Sequence, residues 1–392
     1  MEQWIREAEA GSDELLALRR AIHAEPELGL DCSKTRSKLE AALADLPLSF
    51  RRSETTSGFV AILEGAHPGR TVLLRGDMDA LPIHEDTGLA FASRESGKMH
   101  ACGHDSHSAM LAEAAKILCG QRDRLAGRIL FMFQPGEEGH HGARIMLEEG
   151  LLGDPLPDAA FAMHVIPTLP HGTVACRAGA MLASTDAIHA RIVGKGGHAA
   201  MPHTTRDPIP VAAEIVLALQ SEVARRTSVA DPIVLSITRI AGGFTHNVVP
   251  DAVELLGTLR TLSPEARRRA LDAFERMCTN IAAAHGCVAE VHMDQGYPAT
   301  VNDPRAVAHV RAIAGDAFVE LPAAYMIGED FSYVLEKVPG AIALLGVAPA
   351  AGEAATRAPL HSPAMMIDES VLPKGVALHC AFAARFLEKG WE

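Results

Sequence analysis

Positive charge is in short supply in this sequence. Thirty-six Lys and Arg face 49 Asp and Glu, a formal net charge of -13. Nucleic acid or an anionic bilayer surface is held by a basic face, so neither is expected as a partner. Long hydrophobic runs are missing as well. No stretch approaches the ~20 apolar residues that span a bilayer. The opening Met1-Glu2-Gln3-Trp4-Ile5-Arg6 is polar and amphipathic, without the apolar core of a secretion signal. Cysteine does not supply a disulfide framework: Cys32, Cys102, Cys119, Cys176, Cys278, Cys287 and Cys380 are odd in number and irregularly spaced. The expectation is a cytoplasmic protein, in which a free thiolate can serve as a metal ligand. Internal repeats and low-complexity segments are also absent.

What remains is an ordinary globular composition, 48% hydrophobic and 22% charged over 392 residues, long enough for two domains. Strand and helix signals alternate at first. Helices are expected at Leu15–Glu25, at Lys34–Leu46 with Ser33 as cap, at Ser106–Cys119 and at Ala143–Glu149. Strands are expected at Phe59–Leu63, Thr71–Leu74, Arg128–Phe133 and Ala159–His164. This order implies an α/β fold with a mostly parallel sheet and helices on both faces. The middle differs. Strand Ala187–Val193, helix Pro208–Arg226, strands Ile233–Ile240 and Val253–Thr261, helix Pro264–His285 and strand Val288–Met293 follow the β-α-β-β-α-β order of a ferredoxin-like α+β unit. The α/β pattern then resumes, with a loop at Pro349–Pro359. The expected plan is one α/β domain, residues 1–183 and 296–392, interrupted by an inserted domain at 184–295.

The chemistry gathers at expected strand ends, where parallel sheets bind ligands. Asp77 and Asp79 follow one strand and Glu137-Glu138 another; His164 ends a third, and His361 lies beyond a fourth. Cys102 and His104, two apart before a helix, suit a borderline-soft divalent metal. Of two adjacent carboxylates, one can bind metal while the other acts as a general base on water. Asp79 is placed to hydrogen-bond a ligand imidazole from behind. Each segment alone also fits an ordinary loop: Asp105 or Ser106 capping the helix, a solvated Glu-Glu turn, an Asp-rich turn.

Five motifs in order carry a resemblance: Arg75-Gly-Asp-Met-Asp-Ala-Leu-Pro82, His100-Ala-Cys-Gly-His-Asp105, Phe133-Gln-Pro-Gly-Glu-Glu138, Gly196-Gly-His-Ala-Ala-Met-Pro-His203 and Gly328-Glu-Asp-Phe-Ser332. With His23-Ala-Glu-Pro-Glu-Leu-Gly29, they resemble the hippurate hydrolase and indole-acetyl-amino-acid hydrolase group of the aminoacylase and metallocarboxypeptidase superfamily. The resemblance spans about residues 15–385. It implies a metal-dependent amidohydrolase that splits N-acyl amino acids, with two divalent ions (manganese, zinc or nickel) on Cys102, His104, Glu138, His164 and His361. It implies Glu137 as general base and Asp79 behind the ligands. It implies a lid and dimerisation role for the inserted domain, with His198 stabilising the oxyanion and Asn247 and Arg260 gripping the substrate carboxylate. The implied assembly is a homodimer or homotetramer, and the implied partner a small molecule. The alternatives are a dipeptidase or carboxypeptidase of the same superfamily, and a thiol protein with structural metal or none. Two positions depart from the group: Gly136 stands where alanine is usual, and His246 is unexpected.

Overall fold

The computed structural model describes residues 1–348 and 358–392; most of the loop expected at Pro349–Pro359 lies outside the described residues. The chain forms two compact units. The first comprises Met1–Gly179, Val301–Pro322 and Asp330–Glu392; the second comprises Ala180–Thr300 and Ala323–Glu329.

The first unit is built on an eight-stranded sheet. From edge to edge its strands are Leu48–Arg52, Phe59–Glu64, Ala126–Gln134, His67–Asp77, Ala159–Ile166, Gly340–Gly346, Val174–Cys176 and Phe318–Glu320. The four central strands run parallel, and antiparallel pairs lie toward both sides. Central strands covered on both faces must be apolar throughout rather than alternating. The strand Gly340–Gly346 obeys and is buried throughout; Thr71–Asp77 is buried too, but carries Arg75 and Asp77, which pair with each other. The stacked Phe59 and Phe133 rings, 4.7 Å apart, fill one face. The helix His104–Gly120 packs against that sheet and against the helices Ser12–His23 and Leu372–Lys389. It is buried around nearly its whole circumference, polar Ser106, Ser108 and Glu113 included. Its apolar stripe therefore understates its burial. It also starts two residues earlier than expected, at His104, so neither Asp105 nor Ser106 is its cap. Ser33 likewise falls inside its helix, Ser33–Leu43, and Cys32 occupies the cap position.

The second unit carries a four-stranded antiparallel sheet in the order Ile233–Ala241, Ala252–Thr261, Asp186–Val193, Val288–Gln295. The helices Pro208–Arg226 and Pro264–Ala284 cover it. Asp207 caps the first helix through Ile209 N at 3.0 Å, and Ser263 caps the second through Ala266 N at 3.0 Å. Such caps satisfy amides that have no partner inside the helix. Ile188, Ala190 and Ile192 face a core with Val211, Ile215, Leu219 and Phe274. Ile209, which the periodicity places on the buried stripe, is 48% exposed, whereas Pro208 before it and Val211 after it are buried.

Candidate metal centre

Three of the parallel strands deliver their C-terminal ends to one place in the first unit. The strand His67–Asp77 leads to Asp79, Ala126–Gln134 to Glu137 and Glu138, and His164 stands near the end of Ala159–Ile166. Cys102 and His104 come from the loop into the helix His104–Gly120. Gly103 between them has φ +86, and a Cβ there would lie 2.3 Å from Val165 Cγ2. Only glycine serves both demands. His361 arrives from the segment after the strand Gly340–Gly346, and its backbone N–H donates to Ala101 O at 2.8 Å. His361 has φ 65, a left-handed conformation uncommon outside glycine.

All five expected ligands converge. Donor atoms of Cys102, His104 and His164 lie within 4.8 Å of one another, as do those of Cys102, Glu138 and His361. Cys102 Sγ is 3.3 Å from His164 Nε2, and His361 Nε2 is 3.2 Å from Glu138 Oε1. The imidazoles are oriented from behind. His104 Nδ1 donates to the backbone oxygen of Asp79 at 2.8 Å, and His164 Nδ1 to that of Val165 at 2.8 Å. Both rings thus turn an Nε2 lone pair into the cluster. His104 Nε2 is buried and has no hydrogen-bond partner among the described residues. Buried polar atoms left unsatisfied are costly, and one thiol, three imidazoles and a carboxylate form a donor set suited to borderline divalent metals. The residues fit a metal centre.

The electrostatics agree. Burial pushes the Cys102 thiol well above its ordinary pKa, so a thiolate there needs a cation beside it. Burial, then His107, pushes His164 well below the usual imidazole range, leaving it the neutral form that ligates. Burial opposes ionisation of Glu138, but His361, His104 and Cys102 together outweigh it and draw the carboxyl below its ordinary value.

The Asp79 carboxylate stands 3.6 Å from His104 Nδ1, next to the shorter bond that its own backbone oxygen accepts. Its oxygens accept the consecutive backbone amides of Glu137, at 2.9 Å, and Glu138, at 3.0 Å. It therefore fixes the two carboxylates relative to each other. Glu137 is buried, its Oε2 4.0 Å from His104 Nε2. Gly136, where alanine is usual, has φ +71, and a Cβ there would lie 2.5 Å from Leu30 Cδ2; glycine relieves both strains.

The second unit holds the other expected residues. His198 is exposed on the short strand Gly197–His198, paired with Val248–Val249, and its Nδ1 accepts Ala200 N–H at 3.1 Å. Exposed Asn247 is its neighbour, accepting Ala199 N–H through its backbone oxygen at 3.1 Å. Arg260 lies on the separate four-stranded sheet, half-buried, donating to Thr258 Oγ1 and to Leu259 O. No carboxylate lies within 4.0 Å of it among the described residues. His246 is exposed.

The sequence left several supporting residues unassigned. Asp105, expected as a cap, is fully buried and pairs with Arg19 Nε at 2.8 Å and His23 Nδ1 at 2.7 Å. His23 Nε2 reaches Glu85 at 3.2 Å. Charged residues buried in apolar surroundings must be paired, and the His23 motif was the available signal.

Strand-end thiol, imidazole and carboxylate ligands beside a second, positioned carboxylate define a metal-dependent hydrolase of amide bonds. The chain belongs to Peptidase family M20/M25/M40, whose profile matches residues 73–385. It is 38% identical to the IAA-amino acid hydrolase ILR1-like 2 of Arabidopsis thaliana over 386 residues, 96% of this chain and 86% of the relative. It is 36% identical to thermostable carboxypeptidase 1 of Saccharolobus solfataricus over 390 residues, 98% of both chains. A solved structure from Bacillus subtilis, described as a dinuclear metal-binding peptidase of the M20 family, superposes with a TM-score of 0.83 at 33% identity, covering 97% of this chain and 99% of that one.

Proposed function

We propose that this chain hydrolyses the amide bond between an acyl group and the nitrogen of an amino acid that keeps its free carboxylate. The observation that carries the reading is a pair of adjacent carboxylates held at the cluster by Asp79: Glu138 groups with Cys102 and His361, and Glu137 groups with His104 and Glu138, its Oε2 4.0 Å from His104 Nε2. The likeness to an IAA-amino acid hydrolase supports this reading, and the likeness to a carboxypeptidase carries the alternative, hydrolysis of peptides.

Cys102, His104, Glu138, His164 and His361 would hold two divalent ions, of manganese, zinc or nickel. Bound there, the ions would polarise the acyl carbonyl and acidify water toward a pKa of about 7. Glu137 takes a proton from the attacking water as its oxygen bonds to the carbonyl carbon. It returns that proton to the amide nitrogen as the C–N bond breaks, releasing a carboxylic acid and an amino acid. Asp79 keeps Glu137 and Glu138 from exchanging places. His198 suits the oxyanion: with Nδ1 accepting from Ala200, its proton stands on Nε2, facing outward as a donor. Arg260, with no carboxylate within 4.0 Å among the described residues, suits a substrate carboxylate, with Asn247 as a second polar contact.

Seven free cysteines, all buried, favour a reducing compartment such as the cytoplasm. No described helix is long and apolar enough to cross a membrane. Assembly into a homodimer or homotetramer through the second unit belongs to the same reading, in which His198 would serve the site of a partner subunit; a strictly monomeric protein of full activity contradicts that role for His198. A panel of N-acetyl, N-benzoyl and indole-acetyl amino acids set against free-amine dipeptides tests the substrate class. Faster turnover of the acylated set supports it, and preference for dipeptides overturns it.

A further inference from the structure

His164 reaches the cluster from a strand end, and its neighbour Val165 is held from behind. Val165 N–H donates to His107 Nε2 at 2.9 Å, and His107 Nδ1 lies 2.6 Å from Asp77 Oδ1. Arg75 Nη1 donates to Asp77 Oδ2 at 2.7 Å, its Nε to Gln134 Oε1 at 2.8 Å, and its Nη2 to Asp330 Oδ1 at 3.2 Å. Asp330 also accepts Gln134 Nε2 at 2.7 Å and Ala143 N–H at 2.9 Å. The side chains of Arg75, Asp77 and Asp330 are wholly buried, and that of His107 nearly so.

Stability alone is a poor reason for such a chain. Burying a guanidinium and carboxylates carries a desolvation cost, and apolar replacements of buried ion pairs are often neutral or stabilising. What the chain does provide is direction. The Val165 N–H requires a lone pair on His107 Nε2, which places the ring proton on Nδ1, facing Asp77. With both nitrogens so engaged His107 does not ligate, although it lies with Asp77 and His104 in a group compact enough for a metal. Its ring instead forms a wall. It stands edge-on to His164 with centroids 4.7 Å apart, and 5.5 Å from His104.

We infer that Arg75, Asp77 and His107 are positioning residues for the hydrolysis. They seat the Val165 amide and the wall behind His164 and His104, so that both Nε2 atoms converge with Cys102 Sγ. Asp330, from the Gly328–Ser332 motif, anchors the far end. The inference rests on the metal-centre reading above.

Metal-stripped wild type, Arg75→Lys and His107→Gln are titrated with Co2+ while thiolate-to-cobalt charge-transfer absorption is followed; kcat and KM are measured after reloading. Wild type is expected to develop the band. Its absence overturns the metal-centre reading, and the inference with it. Given the band in wild type, both variants are expected to melt cooperatively and bind Co2+ about 10–100-fold more weakly. Their kcat is expected to fall about tenfold or more, with KM changed less than about twofold, since outer partners tune ligands rather than substrate binding. Wild-type Co2+ affinity and kcat in both variants overturn the positioning role while leaving the centre standing. If Arg75→Lys does not fold, His107→Gln, neutral for neutral, decides: a lower melting temperature with unchanged Co2+ affinity and kcat shows a merely structural residue and overturns the inference.

Discussion

Asp79 Oδ1 accepts the backbone N–H of Glu137 at 2.9 Å, and the other oxygen takes the next amide. One carboxylate thereby sets where the backbone of Glu137 and Glu138, the proposed base and a proposed ligand, stands. In Asp79→Asn the new amide group can accept from one of these N–H groups but meets the other donor to donor. The cost of one buried unsatisfied donor is about 1–3 kcal/mol. The expected outcome is a folded protein with kcat reduced about tenfold or more, measured by steady-state kinetics alongside thermal melting. Wild-type kcat contradicts the clamp.

Glu137→Gln keeps the side-chain shape and removes the proposed base. Turnover is expected to fall by about 10²–10⁴ while metal content and melting temperature stay within error of wild type. Elemental analysis together with kinetics checks this; loss of metal in parallel with activity would assign Glu137 to ligation instead.

Cys102→Ser exchanges a soft thiolate for a hard hydroxyl. Zinc and cobalt affinity is expected to drop more than manganese affinity, because softness of the ligand sets that preference. Equilibrium dialysis against each ion reads the ratio. An unchanged ratio removes Cys102 from the ligand set.

Acid stability tests the network under the N-terminal helices. Burial by itself raises the Glu85 carboxyl, but His23, Thr87 and the Ser93 amide bring it down to about 2. The folded value lies below the unfolded one of about 4.3, so this contribution is fully present above the unfolded pKa. It is lost as the pH falls through the folded value. Denaturant midpoints of wild type and Glu85→Gln are expected to differ most above about pH 5 and to converge toward pH 2. A pH-independent difference rules out this linkage.

The ligand types were legible in the sequence because strand ends, a Cys-x-His spacing and a Glu-Glu turn are local patterns. The core of the second unit was legible for the same reason: capped helices and alternating strands announce their faces, with Ile209 the exception at a helix start. Geometry across the chain was not legible. Asp105 precedes an apolar helix and so imitates a cap, yet its partners Arg19 and His23 lie more than eighty positions upstream. Arg75 gathers Asp77, Gln134 and Asp330 from three segments, and no periodicity encodes that. The Asp79 carboxylate was expected on an imidazole because the residue lies near the ligands. The imidazole donates to its backbone oxygen and has the carboxylate 3.6 Å away, while the carboxylate also holds the Glu137-Glu138 turn.

The central claim is metal-dependent hydrolysis of an N-acyl amino acid. Its most direct test is release of glycine and benzoate from N-benzoylglycine by purified protein, with bound divalent metal quantified in the same sample before and after chelation. The account expects close to two ions per chain, equimolar products, loss of activity on chelation and recovery on adding back manganese, zinc or nickel. Fewer than one tightly bound ion per chain, with turnover indifferent to chelator, would contradict it.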